Sequence, residues 1–241
     1  MKKGKIERVI ELLAENSEKP YDPGRKPSDI LDVLIATKLS QNTNDKSSYK
    51  AYQNLKNKFR SWEDVSKAGL QEIRNCIKVC GLSNTKAKNI KKMLLDMKNN
   101  YGTLDISFMK KYSDEEIYEE LIKYEGIGVK TISCMMIFSL GRDVFPVDTH
   151  VHRILNRLGL VKTKTAEKTF ESVKDKIPEG KKYELHTNLI KFGRSICRSA
   201  NPLCGVCYLR KECRFESKKK YIKATKGTSV KKNNFIILEN L

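Results

Sequence analysis

Strand signals, long apolar runs and acidic charge are all scarce in this 241-residue chain. No uninterrupted apolar stretch approaches the roughly 20 residues that a membrane-crossing helix needs. The N-terminus, MKKGKIERVIELLAEN, reads as a charged amphipathic helix without the apolar core of a secretory signal. The chain is therefore expected to be soluble and intracellular, in the cytoplasm or nucleoid, with no membrane partner. In such a reducing compartment its seven cysteines are not expected to form structural disulfides. Alternating strand patterns are nearly absent, and residues 144–147 contain Pro146 and read as an extended connection. The absence of any repeat of 20–50 residues excludes a solenoid. Acidic residues number 29 against 48 Lys and Arg, a formal net charge of +19. A protein this basic is expected to meet a polyanion, with nucleic acid ahead of a membrane surface, the alternative being a solvated lysine-rich exterior. Residues 218–241 carry seven Lys and one Glu, so +13 remains on the rest and the body is basic in its own right.

What is present is helical periodicity. Ile6, Val9, Ile10 and Leu13 follow the i, i+3, i+4, i+7 spacing, as do Ile90, Met93, Leu94 and Met97, and again Val151, Ile154, Leu155 and Leu158. Residues 30–39 (ILDVLIATKL) are apolar on more than one face, which suits a helix buried in a bundle. Pro27-Ser28 precedes that helix as a start signal, and Ser113 with Glu116 forms a capping box ahead of IYEELIKY. The expectation is an all-α protein of about ten short helices, long enough for one large domain or two small lobes. Residues 218–241, with KKKYIKATKGTSVKK followed by FIIL, read as a flexible basic tail whose apolar end can dock back on the body.

Tyr124-Glu125-Gly126-Ile127-Gly128-Val129-Lys130-Thr131 lies between two helical patterns. Glycines at i and i+2 permit a tight turn, and the N–H groups that follow open a new helix, where phosphate oxygens bind. Ile127 is expected to pack inward. Lys130 falls in the first turn, where the helix dipole disfavours positive charge and depresses a lysine pKa, as an amine nucleophile requires; taken alone, it reads as a phosphate contact before it reads as a nucleophile. Asp148, 18 residues downstream in Pro146-Val147-Asp148-Thr149-His150, is placed to cap the next helix. A carboxylate there can also stabilise positive charge developing at a sugar C1′.

Cys197-x6-Cys204-x2-Cys207-x5-Cys213 puts four thiols within 17 residues and marks a metal site. Spacing alone leaves zinc and an iron–sulfur cluster both open. Cys76, Cys80 and Cys134 lack such a pattern and read as small buried residues.

In this order, the hairpin with its lysine, the VDTH aspartate and the four-cysteine segment resemble the endonuclease III family of helix-hairpin-helix DNA glycosylases and AP lyases, over most of residues 5–215. The resemblance implies a two-lobed fold: a six-helix barrel lobe at 29–142, an iron–sulfur lobe from 1–28 and 143–217, and the basic tail at 218–241, with DNA across the cleft. It implies a [4Fe–4S] cluster on Cys197, Cys204, Cys207 and Cys213 rather than zinc. The implied partner is double-stranded DNA carrying a damaged base or abasic site, with oxidised pyrimidines as the family expectation and a monomer as the working form. Lys130 is implied as the nucleophile at C1′, forming a Schiff base before β-elimination 3′ to the lesion, with Asp148 assisting. Base extrusion needs wedges to fill the vacated stack. Leu82, in Val79-Cys80-Gly81-Leu82-Ser83-Asn84, resembles one. The other lies in Leu39-Ser40-Gln41-Asn42-Thr43-Asn44-Asp45, where one alignment selects Gln41 and another Asn42. Gly126, Gly128, Thr131 and Arg198 complete the DNA-contacting set. Arg198 is the one basic residue in a loop where the family often has several, and Cys80 stands where a larger aliphatic residue is usual. The alternatives are a mismatch-specific monofunctional glycosylase, against which Lys130 argues, and a non-catalytic cluster-containing DNA-binding protein, against which Lys130 and Asp148 argue together.

Overall fold

In the computed structural model, which describes residues 4–17, 24, 26–231 and 233–241, helix boundaries follow local capping chemistry. Residues 1–3 of the N-terminal segment and residue 232 of the basic segment lie outside the described residues. The α-helices are α1 (Lys5–Glu15), α2 (Ile30–Ser40), α3 (Asp45–Lys58), α4 (Trp62–Lys67), α5 (Leu70–Ile77) and α6 (Ser83–Tyr101). They continue as α7 (Asp114–Leu121), α8 (Val129–Ser139), α9 (Thr149–Leu158), α10 (Ala166–Val173), α11 (Lys182–Ser195) and α12 (Lys218–Ala224). The described residues contain no strand, and residues 144–147 run as an extended connection. No helix among them is long and apolar enough to cross a membrane.

The expected capping box closes α7: the Ser113 hydroxyl accepts from the Glu116 N–H at 3.1 Å, and the Glu116 carboxylate accepts from the Ser113 N–H at 2.7 Å. At α2 the cap is Asp29, not the Pro27-Ser28 signal. Its carboxylate accepts from the N–H groups of Leu31 and Asp32, satisfying donors that the helix itself cannot.

The chain forms two compact units, one from Met1–Arg25 with Asp143–Asn234 and the other from Lys26–Arg142 with Phe235–Leu241. In the second unit α2 packs against α3, α6 and α8. Its mixed apolar faces are explained by this: Ile30, Leu31, Val33, Leu34, Ile35, Ala36 and Leu39 are all buried. α8 is likewise buried along nearly its whole length, which anchors the turn leading into it. The core of the first unit gathers Val9, Ile10 and Leu13 from α1, Val151, Ile154, Leu155 and Leu158 from α9, and Leu185, Leu189 and Phe192 from α11. Burial of each such side chain is worth about 1.5–3 kcal/mol, which fixes the faces that periodicity marks as apolar.

Residues 218–241 are not one flexible tail. Lys218–Ala224 form α12, packed on the short 3-10 turn Cys204–Val206. Ile236, Ile237 and Leu238 are buried in the second unit, where the Ile237 N–H donates to Asp45 Oδ2 at 2.9 Å and Phe235 meets the Tyr49 ring edge-on at 5.3 Å. Burying consecutive apolar residues there offsets the entropy of ordering the segment.

Candidate nucleic-acid interface and four-cysteine site

The hairpin is built as its glycines require. Gly126 has φ +74°, a backbone conformation that favours glycine, and a Cβ on it would stand 2.6 Å from Lys38 Nζ, so the ammonium would have to shift. Gly128 is the N-cap of α8 and brings no side-chain acceptor, the arrangement in which helix-terminal amides serve phosphate oxygens. Ile127 is buried, as expected, and Lys130 sits half-buried in the first turn of α8. Thr131 is buried, and its N–H donates to the Gly128 carbonyl at 2.9 Å.

The two segments expected to carry wedges belong to the same unit. Leu82 is 59% exposed and holds φ +48°, a left-handed conformation that a leucine adopts only under constraint. Asn42 is exposed with φ +54°, while the adjacent Gln41 turns its amide to the Gly126 carbonyl at 3.4 Å. The structure therefore brings Gln41 to the hairpin and leaves Asn42 at an outward left-handed corner.

Two lysines that the sequence reading passed over lie beneath these loops. Lys38, at the end of α2, donates to the Glu125 carbonyl at 2.7 Å. Lys86, in the first turn of α6, donates to the carbonyls of Leu39 at 2.7 Å and Cys80 at 2.9 Å. Burial draws both pKa values down from the ordinary lysine range, opposed at Lys38 by the Glu125 charge and at Lys86 by the Cys80 thiol. A signal was present: Lys86 precedes Ile90 and Met93 at i+4 and i+7, so it occupies the apolar stripe of its helix. Cys80 is buried as expected, and its thiol also donates to the Ile77 carbonyl.

In the other unit Asp148 is the N-cap of α9, its carboxylate accepting from the Val151 N–H at 2.8 Å. His150 follows it, and burial pulls the His150 pKa below the usual imidazole range, the Asp148 charge acting against that. The Arg153 guanidinium lies 3.1 Å from His150 Nδ1. Since arginine can only donate, Nδ1 is the acceptor and the ring is neutral. A Cβ on Gly193 would stand 2.8 Å from that Nδ1, so glycine is what leaves room for the imidazole.

The four cysteines of the motif are free thiols, half-buried, and within electrostatic reach of one another. Burial pushes the thiols of Cys197 and Cys204 up, and that of Cys207 up to about 12. Donors surround the sulfurs: Arg157 reaches Cys197 Sγ and the Phe215 N–H reaches Cys213 Sγ, each at 3.4 Å. Arg157 also donates to the carbonyls of Arg198 and Ser199 and lies over the Phe215 ring, 4.4 Å from its centroid. Arg153 donates to the Cys197 carbonyl at 2.9 and 3.1 Å. Arginines at i and i+4 on α9 were thus a legible signal of a loop held against that face. Arg198 is exposed and folds back to the Asn201 carbonyl at 2.9 Å. Among the described residues no group of three or more His, Cys, Asp or Glu side chains is arranged to hold a metal ion. The thiols are gathered without being closed around one ion.

The described residues are all-helical outside their loops and combine a glycine hairpin, a lysine in the first turn beyond it and a four-cysteine loop. The comparisons identify the family. A model described as "HhH-GPD superfamily base excision DNA repair protein" matches residues 35–179. Endonuclease III of Thermotoga maritima is 35% identical over 207 residues, covering 86% of this chain and 93% of that protein. A solved non-covalent complex of an endonuclease III with DNA matches with TM-score 0.77 and 26% identity, over 92% of this chain and 99% of that one. A trapped covalent endonuclease III–DNA intermediate matches with TM-score 0.76 and 26% identity, over 90% and 98%. The chain belongs to the HhH-GPD superfamily of base excision DNA repair proteins.

Proposed function

We propose that this base-excision-repair DNA glycosylase and AP lyase uses Lys130 as its nucleophile on duplex DNA carrying an oxidised pyrimidine or an abasic site. The observation that carries the assignment is the placement of Lys130 in the first turn of α8, directly after a glycine hairpin whose amides suit a DNA phosphate. The neutral amine attacks C1′ of the extruded nucleotide, the C1′–N bond breaks, and the base leaves with its electron pair and gains a proton. Opening of the sugar ring gives an iminium linkage to Lys130. Loss of a C2′ proton then expels the 3′ phosphate and cleaves the strand. Asp148, its orientation fixed by the cap to Val151, supplies the carboxylate that balances positive charge developing at the sugar. Leu82 and one of Gln41 and Asn42 are assigned to fill the vacated stack, Gly126 and Gly128 to the phosphate, and Arg198 to a backbone contact through its remaining donors.

The unit containing α1 and α9–α12 is assigned as the cluster lobe, and the unit containing α2–α8 as the hairpin lobe. Cys197, Cys204, Cys207 and Cys213 fit a [4Fe–4S] cluster: they are four free thiols with N–H donors at two sulfurs and arginines alongside. When bound, the cluster supplies a cross-link that orders the loop 197–213. The same reading assigns the protein to the cytoplasm or nucleoid, working as a monomer.

Borohydride trapping tests the chemistry on duplexes bearing thymine glycol, dihydrouracil, an abasic site, a T·G mismatch or 8-oxoguanine. A covalent adduct is expected with the oxidised pyrimidines and the abasic site, and none with Lys130→Ala. No adduct on any duplex would sink the assignment.

A further inference from the structure

Lys38 is 2% exposed and Lys86 is 5% exposed, yet among the described residues neither is matched by a carboxylate at ion-pair distance. Their acceptors are main-chain carbonyls and, for Lys86, the Cys80 sulfur at 3.6 Å. Those carbonyls belong to three separate segments. Glu125 opens the hairpin. Leu39 lies in the last turn of α2, two residues before Gln41. Cys80 precedes Leu82 by two. Every loop of this unit to which a DNA contact is assigned is therefore tied from inside by a buried ammonium.

Stability alone does not explain the choice of lysine. Taking an ammonium out of water is costly, and an apolar side chain of similar length fills such a site at less expense. What an ammonium adds is a set of three divergent donors that hold carbonyls at fixed spacing, and a positive charge in a poorly screened place. Gly126 adjoins this arrangement: a Cβ there would stand 2.6 Å from Lys38 Nζ, so the ammonium would have to shift.

We propose that Lys38 and Lys86 are positioning residues for DNA engagement, setting the spacing of the hairpin and both wedge loops before DNA arrives. The proposal rests on the reading of those loops as the DNA-contacting surface. It assigns neither lysine a direct phosphate contact.

The test compares the full chain with Lys38→Met and Lys86→Met by three readings: thermal midpoint, affinity for a duplex with an uncleavable abasic analogue, and the dependence of that affinity on salt. The expected result is a midpoint equal to or above wild type, with affinity at least about tenfold weaker, equivalent to 1.4 kcal/mol. The salt slope is expected to stay unchanged. Lys38→Gln and Lys86→Gln, neutral but still able to donate, are held to the same readings and cover a methionine variant that does not fold. Affinity within twofold of wild type overturns the proposal. So does affinity that falls in step with stability, which makes these ordinary folding residues, and so does a slope reduced by about 0.9, which makes them phosphate contacts. Failure of the wild-type chain itself to bind or cleave would count against the proposed function instead.

Discussion

The Asp148 carboxylate accepts a hydrogen bond from the Val151 N–H at 2.8 Å and closes the first turn of α9. The same side chain is proposed to balance charge at the sugar, so its two roles need separating. Asparagine caps helices about as well as aspartate, whereas alanine at a cap costs about 1 kcal/mol. Asp148→Asn is therefore expected to melt within a degree or two of wild type while losing most base-excision rate in single-turnover assays and keeping DNA binding. Asp148→Ala is expected to lose both rate and stability. An Asp148→Asn variant with full activity would reduce this residue to a cap.

Leu82 offers the reverse separation. Its φ of +48° strains a leucine by about 1 kcal/mol, and glycine at the same place carries no such cost. Leu82→Gly is expected to match or exceed wild-type stability in chemical denaturation while excising intact lesions much more slowly. Cleavage of a pre-formed abasic site, which needs less unstacking, is expected to suffer less. Equal loss on both substrates would argue against a wedge.

The four-cysteine loop makes a prediction readable by eye. Protein purified without oxygen is expected to be yellow-brown, with about four irons per chain by metal analysis. Cys207→Ser, or chelation after oxidation, is expected to bleach it and to lower the thermal midpoint, because a bound cluster contributes to folding. A colourless protein containing one zinc would overturn the cluster assignment and leave the fold untouched.

The C-terminal residues predict two distinct effects. Removal of Phe235–Leu241 takes away the buried Ile236, Ile237 and Leu238 and the Ile237–Asp45 bond. A loss on the order of 3 kcal/mol is expected once the ordering of the segment is offset. Changing Lys219, Lys220, Lys223 and Lys226, all exposed, to glutamine is expected to leave the midpoint alone. It should instead reduce the salt slope of DNA binding by about 0.9 for each lysine that meets a phosphate. An unchanged slope would show that this basic segment serves the fold rather than the DNA.

Helices, caps and motifs were legible in the sequence because they depend on residues three or four positions apart. The stripes of α1 and α9, the box of Ser113 and Glu116, and the turn at Gly126 and Gly128 each span only a few turns of chain, and the four cysteines fall within 17 residues. Only the tertiary structure decided what crosses longer distances. Lys38 meets Glu125 across 87 positions, and Arg153 meets Cys197 across 44. Thr131 turns inward because α8 is buried on nearly every side, and the FIIL segment leaves the basic residues before it to dock on α2 and α3. A lysine reads as surface until packing encloses it, since its charge favours water and its four-carbon stem tolerates either environment. The hairpin and the lysine in the turn after it could thus be located from local pattern, whereas the buried ammonium groups beneath the hairpin are a property of how the helices pack.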